Sequence, residues 1–128
     1  MRTYLIEPQL LFVPYLSRLL GNAGLEVVAT SDDVDSKDIV AHDPDAIFVD
    51  VDFFDRGAPN AICRIRQATK AAIIAFSDAE DPTFEAACYI SGASAVLSKR
   101  AGVDAVVRAM RSVVPTSPLR SLRPTGVA

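Results

Sequence analysis

The sequence predicts an α/β domain, a doubly wound parallel sheet of five strands with helices on both faces. Apolar runs of strand length alternate along the chain with segments whose apolar residues recur at helical spacing, about five of each. The 128 residues, half of them apolar, can fill one core and leave little room for a second domain. No internal repeat interrupts the alternation.

The first strand, residues 3–6, stops at Glu7-Pro8, and a helix follows with Leu11, Tyr15, Leu16, Leu19 and Leu20 on one core-facing stripe. Pro14 lies near enough to the start of that helix for its missing N–H to be one of the unpaired first-turn donors, and Asn22-Ala23-Gly24 closes it. The second strand, 25–30, leads into Ser31-Asp32-Asp33, whose side chains suit the cap of a short helix over 34–41. His42-Asp43-Pro44-Asp45 then punctuates, and His42 reads as a solvated turn residue. The third strand, 46–50, ends on Asp50, and a loop-like stretch over 51–57 precedes a helix carrying Ile62, Ile65 and Ala68. Phe53 and Phe54 in that loop suit partner contact or local packing. The fourth strand, 71–77, ends at Ser77, and residues 78–82 open a helix with Phe84, Ala87, Cys88 and Ser91 on a narrow face, ended by Gly92. The last strand ends at Lys99. A final helix presents Val103, Val106, Val107, Met110 and the valines at 113–114, and Pro115 stops it. The domain therefore spans 1–114, and 115–128, poor in apolar side chains, reads as a flexible tail or linker.

Composition narrows the function. A net charge of −3 and a pI near 5.0 give no electrostatic footprint for nucleic acid, so direct binding to it is not expected. No apolar run approaches the roughly 20 residues that span a bilayer as a helix. The first residues lack the pattern of a secretory leader, so a cytoplasmic protein without a membrane partner is expected. Cys63 and Cys88 show no CxxC or Cys/His spacing and read as buried structural thiols.

The chemistry concentrates at strand ends. Three apolar runs terminate in the order carboxylate, hydroxyl, ammonium: Asp50, Ser77 and Lys99. If these are neighbouring parallel strands, the three groups converge at the carboxyl edge of the sheet, where open α/β folds bind ligands. A hydroxyl and a cation beside an acceptor carboxylate suit a phosphoryl group, because the hydroxyl can hydrogen-bond a phosphoryl oxygen while the ammonium offsets its charge. Residue by residue, plainer readings stand beside this one: Asp50 as a strand-end carboxylate bonded to the next loop, Ser77 as a helix cap, Lys99 as a solvated lysine, and Glu7 as a surface acid before Pro8.

From Arg2 to Val114 the pattern resembles a response-regulator receiver domain of two-component signalling. The match rests on Leu5-Ile6-Glu7, Asp50, Ser77 and Lys99, and on Gly92-Ala93-Ser94-Ala95-Val96-Leu97-Ser98-Lys99, which is similar to the Gly-Ala motif of receivers in helix-turn-helix regulators. The resemblance implies a flavodoxin-like (βα)5 fold and a signalling switch rather than an enzyme. A histidine kinase or phosphotransfer protein would donate a phosphoryl group to Asp50 with the help of Mg²⁺. In that frame Asp50 is nucleophile and metal ligand, Glu7 lies in the outer metal shell, and Asp52 gives the metal its backbone carbonyl. Ser77 moves toward the phosphorylated acceptor and Lys99 pairs with its charge. A downstream effector protein would read the altered surface, and the resemblance also implies an option of homodimerisation through the last helix and its neighbours.

The chain departs from the receiver pattern at two informative places. Pro8 stands where receivers carry a second acid, and Val96 stands where they often carry a switching aromatic. Both favour a rival reading, a degenerate receiver that acts as a phosphorylation-independent interaction or dimerisation module. Asp50-Val51-Asp52 also resembles the nucleophile and acid/base pair of haloacid-dehalogenase-type phosphatases, though on the third strand rather than the first. No GxGxxG or P-loop is present.

Overall fold

A computed structural model of the chain describes residues 1–52, 54 and 57–113. Five strands form one sheet: β1 (Arg2–Ile6), β2 (Glu26–Ser31), β3 (Ala46–Asp50), β4 (Ala72–Ser77) and β5 (Ala95–Ser98). Their order is β2-β1-β3-β4-β5, and every pairing is parallel. The connecting helices are α1 (Val13–Asn22), α2 (Ser36–His42), α3 (Ala58–Ala68), α4 (Pro82–Ser91) and α5 (Val103–Val113). This is the doubly wound sheet the alternation predicts, in the flavodoxin-like order the family resemblance implies.

Side chains on successive strand residues point to opposite faces, so each central strand must be apolar on both. Tyr4, Ile6, Ile47, Val49, Ile73 and Ala75 bury one face with Ile39 of α2, Ile62 and Ile65 of α3 and Cys88 of α4. Leu5, Phe48, Ile74 and Phe76 bury the other with Leu16, Leu19 and Leu20 of α1 and Val106 and Met110 of α5. Every residue of β3 is buried. After β1 the chain winds outward to β2 and then crosses back to β3, so the winding reverses between β1 and β3. A crevice opens at the carboxyl ends of strands on either side of such a reversal.

Local details move several sequence expectations. Leu11 is not on the core stripe: it sits in a 3-10 turn (Leu10–Phe12) before α1 and is 89% exposed. Pro14 occupies the first turn of α1, so the turn before it follows its own hydrogen bonding, with Phe12 N–H donating to Gln9 O. Tyr15 is also exposed, while Leu16, Leu19 and Leu20 are buried as expected. The cap of α2 is Asp35, which accepts from Asp38 N, rather than the residues at 31–33. Ser31 and Asp33 instead bond locally. Cys88 is buried, but Cys63 is exposed on the outer side of α3. Phe54 packs on the core and Phe53 lies outside the described residues, as do residue 114 and the stretch 115–128 read as a tail.

Gly92 explains the Gly-Ala motif physically. It ends α4 at φ +125°, which L side chains rarely adopt, and a Cβ there would lie 3.0 Å from Arg66 Cβ and Cγ. Arg66 reaches past it to donate to Gly92 O at 3.0 Å and to Thr69 O at 3.2 Å, which ties α3 to the turn leading into β5. Gly92→Ala is therefore expected to lower unfolding stability by about 1–3 kcal/mol. Gly21→Ala, in α1 with nothing near its Cβ, is expected to be neutral or stabilising by up to about 1 kcal/mol. Urea unfolding of the two variants makes the comparison.

Candidate functional site

The parallel register brings the chemistry together. Ile6 pairs with Val49, so Glu7, next along the chain, stands beside Asp50 at the reversal of the winding. Asp50 is the last residue of β3 and pairs with Phe76, so Ser77 ends β4 one step further on. Ser77 pairs with Ser98, and Lys99 follows directly. Glu7 and Asp50 are each 1% exposed and Ser77 is also buried. Glu7 is therefore no surface acid.

Four of the five predicted site residues join one network. The Lys99 ammonium lies 2.9 Å from Asp50 Oδ1 and 2.8 Å from Asp52 Oδ2. Ser77 Oγ donates to Asp52 Oδ1 at 2.6 Å and accepts from Ala79 N at 3.0 Å. Asp78 N donates to Asp52 Oδ2 at 2.9 Å, and Asp52 N donates to Asp50 Oδ1 at 3.2 Å. Burial alone would push the Asp52 carboxyl up, but the hydrogen bonds from Lys99, Ser77 and Asp78 N outweigh it and hold the group below the usual carboxylate range. Burial likewise works against the Lys99 ammonium, and its bonds to Asp52 and Asp50 reverse the sign, so it stays charged more firmly than a free lysine.

Glu7 behaves differently. Its Oε2 accepts from Gln9 N at 3.0 Å, while its buried Oε1 has no conventional hydrogen-bond partner among the described residues. Burial, followed by the neighbouring Asp50, pushes its carboxyl up to about 7. A proton on Glu7 turns it from an orphaned acceptor into a donor toward Asp50. Among the described residues no group of three or more acidic, histidine or cysteine side chains is arranged around a metal position. The Asp52 carboxylate is turned to Ser77, Asp78 N and Lys99.

Two features were beyond sequence reasoning. The backbone N–H groups of Asp78 and Ala79 donate into the network, and their aim depends on the path of the β4–α4 loop. The resemblance gave Asp52 a role only through its backbone carbonyl, and an acid two residues after Asp50 was the only signal that its side chain has another use. Val96, at the position of the expected switch residue, is half-buried and packs on the core. An open groove of about 460 Å³ adjoins Ser77, with Asp78, Glu85, Val96, Leu97 and Arg100 among its walls. His42 bonds within α2, to Asp38, away from this network.

A comparison with protein-family models gives no match, and a comparison with curated proteins gives none either. Solved structures do match. The signal receiver domain of the response regulator NarL from Mycobacterium tuberculosis superposes with a TM-score of 0.74 at 22% identity, covering 85% of this chain and 91% of that one. A LuxR-family two-component response regulator from Aurantimonas sp. SI85-9A1 gives 0.73 at 23% identity, over 88% and 84%. CheY in a CheX–CheY complex with beryllofluoride and magnesium from Borrelia burgdorferi gives 0.75 at 16%, over 91% and 90%. The chain has the fold of response-regulator receiver domains. Among the described residues no helix is long and apolar enough to cross a membrane.

The raised Glu7 carboxyl carries a pH signature. Its folded-state value lies above the ordinary 4.5, so the folded chain holds a proton that the unfolded chain has lost. The cost of ionising Glu7 is thus absent at low pH and fully present above about pH 7. Glu7→Gln should therefore raise the urea midpoint near pH 8 and change it little near pH 4.5; a gain of equal size at both would show that the carboxyl is not the cause.

Proposed function

We propose that this chain is a cytoplasmic response-regulator receiver that accepts a phosphoryl group on Asp50 from a histidine kinase or phosphotransfer protein and signals through a change of surface. The observation that carries the reading is the Lys99 ammonium 2.9 Å from a nearly sealed Asp50 carboxylate, with the Ser77 hydroxyl in the same network. In the transfer, an Asp50 carboxylate oxygen forms the new O–P bond as the donor's P–N bond breaks, and the bonding pair returns to the imidazole nitrogen. Lys99 meets the charge that accumulates on the acceptor, and Ser77 offers a hydroxyl proton to a phosphoryl oxygen.

The residues present fit magnesium through few ligands. Glu7 Oε1 is a buried oxygen without a conventional partner beside Asp50, which suits a hard cation, while Pro8 has no side-chain oxygen to add. Glu7 and Asp50 would hold the ion, with the backbone carbonyl of Asp52 as a further oxygen. When bound it would neutralise charge on the phosphoryl oxygens. The output is the face beside Ser77, where the groove bordered by Val96 and Arg100 would be reshaped for a downstream effector or a second copy of the chain.

A second reading, a phosphorylation-independent interaction module, is favoured by Asp52, which already engages the donors that a phosphoryl group would need. Beryllofluoride, which mimics a phosphoryl group on aspartate, separates the two. Saturable, magnesium-dependent amide shifts around Asp50, Ser77 and Lys99 that vanish in Asp50→Asn are the expected result. The absence of any shift at millimolar magnesium would leave the interaction module as the function.

A further inference from the structure

We propose that the Asp52 side chain is a built-in anion that occupies the phosphoryl-oxygen position of this site, holding Ser77 and Lys99 in their anion-engaged arrangement and competing with any phosphoryl group placed on Asp50. The competition rests on the reading of Asp50 as the acceptor. The occupancy itself rests on three hydrogen bonds.

The donors come from three separate places in the fold. Ser77 at the end of β4 gives its single hydroxyl proton to Asp52 Oδ1 at 2.6 Å, so that proton has no second use. Asp78 N, in the loop that follows, donates to Oδ2 at 2.9 Å. Lys99, beyond β5, bridges the same Oδ2 and the Asp50 carboxylate. A hydroxyl, a backbone N–H and an ammonium converging on one anion is the donor set that binds phosphoryl oxygens. Here the anion belongs to the chain. It is tethered two residues from the acceptor, and its own N–H donates to Asp50 Oδ1 at 3.2 Å.

Two consequences follow from this geometry. Ser77 and the first residue of the β4–α4 loop are already engaged with an anion in the unmodified protein. The acceptor is also closed off: the Asp50 side chain is 2% exposed beneath Lys99 and Asp52, whose side chains are 19% and 21% exposed. A phosphoryl donor therefore reaches Asp50 only when Asp52 swings out, and the phosphoryl group then takes over its three donors. Asp52 is a positioning residue in this scheme and a gate on the acceptor.

The test titrates beryllofluoride with Mg²⁺ into the full chain and its Asp52→Ala and Asp52→Asn variants, following the amides of Ser77, Asp78, Ala79 and Lys99 by NMR. Removing a competitor held by charge-assisted bonds should tighten binding by about tenfold or more in Asp52→Ala, with Asp52→Asn between that and the parent because it keeps the shape but not the charge. In the free Asp52→Ala protein these amides should move, and saturation with beryllofluoride should return them toward their parent positions. Equal affinity in parent and Asp52→Ala, with both lost in Asp50→Asn, overturns the competition while leaving the acceptor reading intact. Binding to none of the three proteins overturns the acceptor reading. Built-in occupancy is then judged on the free proteins alone: displaced Ser77, Asp78 and Ala79 amides in Asp52→Ala sustain it, and unmoved ones overturn it.

Discussion

One ammonium organises the carboxyl edge of this sheet. Glu7, Asp50 and Asp52 place three carboxyl groups within one small region, and at neutral pH such a cluster repels itself unless a cation or a proton intervenes. Lys99 bridges Asp50 and Asp52 directly. Glu7 responds in the other available way: burial, followed by its hydrogen bond with Asp50 and the charge of Asp50, pushes its carboxyl up to about 7 against the smaller opposing pull of Lys99. The site thus divides its negative charge between an ion pair on one side and a carboxyl that readily holds a proton on the other.

That arrangement depends on strand order more than on any local geometry. Lys99 follows β5, Asp50 ends β3, and β4 lies between them, so the lysine side chain must cross over the end of β4 to reach its partners. It does so over Ser77, which explains why hydroxyl and ammonium converge on the same Asp52 carboxylate. The turn leading into β5 is tied to α3 by Arg66, which donates to Gly92 O and to Thr69 O at the end of its own helix. Ser94 then locks the start of β5 to β4 through bonds with Ile73.

The energetic frame is an ordinary parallel sheet buried on both faces, and it leaves the site little freedom. Phe48 and Phe76, neighbours on β3 and β4 with ring centroids 5.6 Å apart, fill the layer beneath the carboxyl edge. Asp50 sits two positions beyond Phe48 and Ser77 one beyond Phe76, where side chains emerge from the core but remain covered. Buried carboxyl oxygens in that position need hydrogen-bond donors, and Lys99 and the Asp52 N–H supply them to Asp50.

The strands, their order along the chain and the identity of Asp50, Ser77 and Lys99 as strand-end groups were legible in the sequence. Each strand is a short apolar run bounded by turn residues, and parallel topology follows from the alternation with helices. Boundaries shifted by about a residue, and Leu11 misled because its spacing from Tyr15 continues the helical period across a proline that restarts the helix. Cys63 misled because one small side chain does not reveal which face of α3 is buried. Glu7 was legible as a candidate, but not its burial, which comes from the neighbouring strand end at Asp50. Only the tertiary structure decided where the Asp52 carboxylate points. Its partners lie 25 and 26 residues away at Ser77 and Asp78 and further still at Lys99. Its engagement with those donors depends on contacts that no local pattern encodes. The sequence by itself determined which groups reach the carboxyl edge, because strand periodicity is local. The fold decided which of them touch, because touching depends on the spatial order of strands.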